Sequence, residues 1–131
     1  MAFLLHTIDG GYVPPYEYHA SGEITPKVGL ALTVTAGKLA VCSGETKPTY
    51  IAMCERATAC ADGEIIPVMR VNDDIVFAVP AQADMAAVNV GDKVTLHTDG
   101  MQVTATTASG VATVVGRVGT GVGDIQYVRF E

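Results

Sequence analysis

From residue 28 onward the chain breaks every few residues, and between the breaks apolar side chains alternate with small or polar ones. "LALTVTAGKLAVC" sets Leu30, Leu32 and Val34 on one face and Ala31, Thr33 and Thr35 on the other. It then turns at Ala36-Gly37 into Leu39 and Val41. A period of two is the signature of a strand, so this reads as a hairpin. "TYIAMCER" gives another short strand, and "GEIIPVMRV" and "IVFAVP" flank the turn formers Asn72-Asp73-Asp74. Pro67 cannot donate to a ladder, which predicts an edge strand or a bulge there. In "VTLHTDGMQVTA" the alternation points Val94 and Leu96 inward and Thr95 and His97 outward, around an Asp99-Gly100 turn. The tail holds two more strands around a glycine-rich loop, with Ile125, Tyr127 and Arg129 on one face and Val128 and Phe130 on the other. Only "PAQADMAAV" at 80–88 contains helix formers, and it is barely two turns long. The expected fold is all-β, a compact β-barrel or sandwich of short antiparallel hairpins with at most one short helix.

Length and composition fit that reading. A chain of 131 residues suits one domain. With 49% hydrophobic and 17% charged residues it has the material for a core. The abundance of Val, Ala, Gly and Thr suits pleated surfaces rather than helices. Residues 1–27 read differently. "DGGYVPPYEYHASGEITPK" is broken by Gly10-Gly11 and Pro14-Pro15, and each proline biases its predecessor toward extended geometry. The organisation expected is an extended, tyrosine-rich N-terminal arm over 1–27 followed by a single β-domain over 28–131. The arm has two readings: a strap across its own core, or a segment that orders on a neighbouring subunit.

Charge and cysteines exclude several partner classes. The formal net charge is −6, and no two of the eight basic residues lie within five positions of each other. Tracking a phosphate backbone needs clustered cations, and so does an anionic membrane surface, so neither nucleic acid nor membrane is an expected partner. The three cysteines, Cys42, Cys54 and Cys60, are an odd number and fit reduced thiols in a protein made in the cytoplasm. Cys54 and Cys60 have no neighbouring His or Cys pair, so no metal site is expected. "MAFLLHTIDGG" lacks a basic n-region, so no export signal is expected.

The residues that invite a catalytic reading have plainer roles. His97, Asp99 and the threonines around them lack the nucleophile, base and orienting group that covalent catalysis needs. Asp99 serves the turn. Gly116, Gly119, Gly121 and Gly123 resemble a phosphate cradle, yet a strand follows them where the dinucleotide fingerprint needs a helix. Neither an enzymatic activity nor a cofactor is expected. A rival reading is a ligand cavity or small enzyme lined by Met53, Met69, Met85 or Phe77, residues that also suit an ordinary core.

Two segments stand out as partner-interface candidates. In the arm they are Tyr12, Val13, Pro14, Pro15, Tyr16 and Tyr18, which combine extension with aromatic anchors. In "IVFAVP", Ile75, Phe77 and Val79 alternate with Val76 and Ala78, so the strand is apolar on both faces. Such a strand is central in a packed sandwich or faces another subunit. A further regularity is that "VGLALTV" at 28–34 and "VGDKVTL" at 90–96 enter their hairpins by the same Val-Gly step.

"VNVGDKVTLHTDGMQVTATTASGVATVVGRVGTGVGDIQYVRF" resembles the closing half of small tailed-phage head decoration, or capsid-cementing, proteins. "VTAGKLAVCSG", "YIAMCERA" and "GEIIPVMRV" follow in the order of that group's first half, so the resemblance spans roughly residues 28–130. It implies a β-barrel-like or β-tulip domain, usually a homotrimer, that binds the outside of a major capsid protein lattice and stiffens it. The location implied is the virion surface, after synthesis in the host cytoplasm. A tail or baseplate β-module is the related alternative.

Overall fold

A computed structural model of the chain describes residues 2–11 and 13–131. Ten strands form: β1 (Leu4–Ile8), β2 (Tyr16–Ala20), β3 (Ala31–Thr35), β4 (Lys38–Val41), β5 (Tyr50–Ala52), β6 (Ile65–Arg70), β7 (Ile75–Pro80), β8 (Lys93–Val94), β9 (Ala112–Arg117) and β10 (Ile125–Arg129). Sheet I runs β1-β7-β10-β9-β8 and sheet II runs β2-β6-β5-β3-β4, with antiparallel neighbours throughout. The chain is all-β and takes the sandwich form; the sheets do not close into a barrel.

The turns set the hairpins. Ala36 and Gly37 both have positive φ, and Thr35 lies opposite Lys38, which is a two-residue type I′ loop whose twist matches its strands. The repeated Val-Gly step is a repeated turn. Leu30 N donates to Lys27 O and Asp92 N to Asn89 O, each at 3.0 Å, with Gly29 and Gly91 at φ 92° and 102°. Positive φ at the third position defines a type II turn and selects glycine.

The helix formers of 80–88 make no helix. Met85 N donates to Thr120 O and Gln82 N to Val103 O, while Met85 and Val88 sink into the core, so tertiary bonds outweigh local preference. Pro67 also departs from expectation, because β6 lies between β2 and β5. Its carbonyl accepts from Met53 N, so its nitrogen faces the same side, just past the end of β5 at Ala52. The return bond to Met53 O is the one a proline cannot give, and β5 ends at that point.

The core between the sheets joins Ile75, Phe77, Val79, Val114 and Val128 of sheet I to Ala31, Ile51 and Met69 of sheet II. Phe3, Phe77 and Phe130 meet in its centre, with ring centroids 5.3 to 6.4 Å apart. Phe3 sits just ahead of β1, and β1 and β2 are strands of sheets I and II. The segment read as an arm is therefore extended but folded onto its own domain, part of both layers rather than an appendage.

The two sheets differ on their far faces. Beyond sheet II a second buried cluster holds Leu32, Leu39, Tyr50, Ala52, Ile66 and Val68. Segments 22–30 and 53–63 cover it, cross-linked where Cys60 N donates to Ile24 O (2.8 Å) and Arg56 N to Pro26 O (3.0 Å). Sheet II also curls, so that Ser21, just past β2, bridges Leu39 of β4. Among the described residues no such second cluster forms beyond sheet I.

Candidate functional site

Strand β2 carries two of the six partner candidates from the N-terminal segment. Tyr16 pairs with Met69 and Tyr18 with Pro67, so both side chains leave the same face of sheet II, at its edge. They remain 50% and 65% exposed. Val13 and Pro15 before them are exposed and Pro14 is half-buried, whereas Tyr12 lies outside the described residues. An edge strand preceded by two prolines thus presents a wall of apolar and aromatic surface.

The opposite face of β2 holds it down. Arg70 Nε and Nη2 donate to the two carboxylate oxygens of Glu17 at 2.8 and 2.9 Å, a bidentate pair. Arg70 Nη2 also donates to Tyr50 Oη (3.1 Å), and its guanidinium lies 5.2 Å from that ring's centroid. His19 packs against Tyr50, at 4.7 Å between rings, with Nε2 3.0 Å from Glu17 Oε1. The Arg70 guanidinium, helped by His19, holds the Glu17 carboxyl below its ordinary pKa.

Strand β1 is held by the same kinds of group. Arg129 Nη1 donates to Asp9 Oδ2 and to Asp73 O, both at 2.9 Å, and His6 stacks on Tyr127 with centroids 4.0 Å apart. A bulge between Leu5 and Thr7 turns His6 outward onto that ring. Leu4 and Leu5 nevertheless stay 52% and 43% exposed. Leu4, Ala78 and Tyr127 share one row on the far face of sheet I, and Pro80 pairs with Ile125 in the next. There a hollow of about 330 Å³ opens, lined by Ala2, Leu4, Ala78, Pro80 and Ile125 with Gln102 and Gly123.

The other candidates fall inside. Ile75, Phe77 and Val79 are fully buried in the intersheet core, so they do not face a partner in the folded chain. On the opposite face of β7, Val76 is buried and Ala78 lines the hollow. Met69, Met85 and Phe77 fill the same core and Met53 packs against it. Asp99 accepts from Met101 N (2.9 Å) and Gln102 Nε2 (2.8 Å), serving its turn. Thr95, expected to point to solvent, is buried, because its hydroxyl lies 2.7 Å from that of Thr104. The three cysteines are free, and burial pushes the Cys42 thiol up to about 11. Among the described residues no three His, Cys, Asp or Glu side chains group as metal ligands. No helix there is long and apolar enough to cross a membrane.

The sequence reading passed over Leu4, Leu5 and both sets of anchoring groups. The Arg70–Glu17 and Arg129–Asp9 pairs join residues 53 and 120 positions apart. A local pattern could flag only the strand itself, in "FLLHTI". No protein-family model matches the chain, and no curated protein matches it.

Proposed function

We propose that this chain is a structural virion protein that binds the outside of a tailed-phage capsid and stabilises its lattice without catalysing a reaction. The exposed wall of Tyr16 and Tyr18 on β2, with Val13 shortly before it, is the observation that carries this reading. Tyrosine supplies large, rigid contact area at low entropic cost, and the Arg70–Glu17 clamp presents it pre-ordered. Many copies on a repeating shell gain from multivalency, so each contact works while weak. The resemblance over residues 28–130 supports the same partner, the major capsid protein. On the shell the chain stands with other copies of itself, which the resemblance arranges in threes.

The test is co-sedimentation with shells assembled from the major capsid protein of the genome that encodes the chain. The wild type is expected to pellet with shells at a fixed ratio, and a Tyr16→Ser/Tyr18→Ser variant to stay in the supernatant while keeping its circular dichroism. Wild type that never pellets with shells contradicts the reading. Pelleting unchanged in the variant moves the contact away from β2.

A further inference from the structure

We infer that the outer edge of β1, with the uncovered face of sheet I beside it, is a contact between two copies of this chain, paired about a two-fold axis. The contact stands on different residues from the capsid-binding wall and does not depend on it.

The four sheet edges differ in how they are protected. An open edge offers unpaired N–H and C=O groups to any other strand, and proteins block it with charges, prolines, shortness or cover. β8 is two residues long and runs into a hairpin whose Leu96 exchanges bonds with Gly44 at 2.9 and 3.0 Å. β4 carries Lys38, paired to Asp62, and its Leu39 accepts from Gly22 N at 3.0 Å. β2 follows Pro14-Pro15 and carries Glu17 and His19. β1, "LLHTI", has no proline and no charged residue, and among the described residues no strand pairs with its outer side. Its protections are the bulge near His6 and, just ahead of the strand, the bond from Phe3 N to Gly29 O.

Charge selects the occupant. The chain carries −6, so two copies repel over most of their surface. β1 and the hollow's apolar lining make a neutral strip, and the nearest acid beyond Ile8, Asp9, is neutralised by Arg129. A basic partner gains nothing from this strip and is drawn instead to acidic turns such as Asp73-Asp74. A like-charged copy meets least repulsion here. Antiparallel edges are self-complementary, since each strand offers the other the same groups under two-fold symmetry. The exposed Leu4 beside an apolar hollow, with Leu5 exposed on the other side of the same edge, lets each copy cover the other's open surface. Three-fold symmetry has no such isologous strand pair, so this contact joins free copies in twos.

Light scattering across a concentration series tests it, on the full chain and on Leu4→Lys, a lysine placed where natural edge strands carry one. Val34→Lys, equally exposed on β3 of sheet II, is the control for added charge. The wild type and V34K are expected at twice the 13.6 kDa chain mass, and L4K at the chain mass. Independently of any variant, amide exchange at Leu4–Ile8 of the wild type should slow as concentration rises. A wild type that stays at 13.6 kDa overturns the inference, and so does a three-fold mass. It also falls if L4K and V34K behave alike, or if exchange at β1 ignores concentration.

Discussion

Strands β1 and β2 come from one segment and are fastened alike, yet they present opposite chemistries. Each is tied by an arginine to a carboxylate and by a histidine packed on a tyrosine: Arg129–Asp9 with His6–Tyr127, and Arg70–Glu17 with His19–Tyr50. β1 shows an uncharged, leucine-lined edge beside a hollow. β2 shows tyrosines on one face and a charged clamp on the other. The difference teaches that anchoring and presentation are separate tasks in this segment. Polar groups far along the chain hold each strand, and the remaining side chains decide what it meets.

The largest effect expected on this comparison comes from the root of β1. Phe3→Ala removes a ring packed against Phe77 and Phe130 and should cost about 3–5 kcal/mol, read from the urea midpoint. It should loosen β1 while leaving the β2 clamp formed. Next come the two arginines. Arg70→Met and Arg129→Met each break partly exposed pairs, and matched thermal melts should show small losses for both. A marked loss in only one would show that one strand depends on its pin and the other on its ladder.

The smallest effect is in pH dependence. Glu17's carboxyl is held below its ordinary 4.5 in the folded chain, so its pairing contributes stability above that value. That stability is lost as the pH falls through the folded pKa. Melting curves between about pH 3 and pH 6 should therefore show a shallower acid decline in Glu17→Gln than in wild type. Identical slopes would mean that the clamp forms equally well with a neutral partner.

The hairpins were legible because their information is local. Ala36-Gly37 and Asp99-Gly100 carry their turn types in adjacent residues, and alternation marks β3, β4, β9 and β10. β7 left two readings open, and the packed-sandwich reading fits because Ile75, Phe77 and Val79 are buried between the two sheets. The fate of residues 1–27 was not legible in the same way. Glycines and prolines predict extension, but the partners of β1 and β2, such as Ala78 for Leu4 and Met69 for Tyr16, lie far along the chain. Residues 80–88, the one stretch with helix formers, make no helix because Thr120 and Val103 claim its backbone. Of the interface candidates, Tyr16 and Tyr18 are where the sequence placed them, on exposed extended chain. Ile75, Phe77 and Val79 are not, because an apolar strand looks alike whether a subunit or a second sheet covers it.

The account rests on β2 meeting the shell, and hydrogen exchange of the chain bound to capsid shells tests that directly. Protection should rise at Tyr16–Ala20 on binding, and the cover of sheet II at 53–63 should exchange as in the free chain. Protection gained at 53–63 and none at Tyr16–Ala20 would contradict the account.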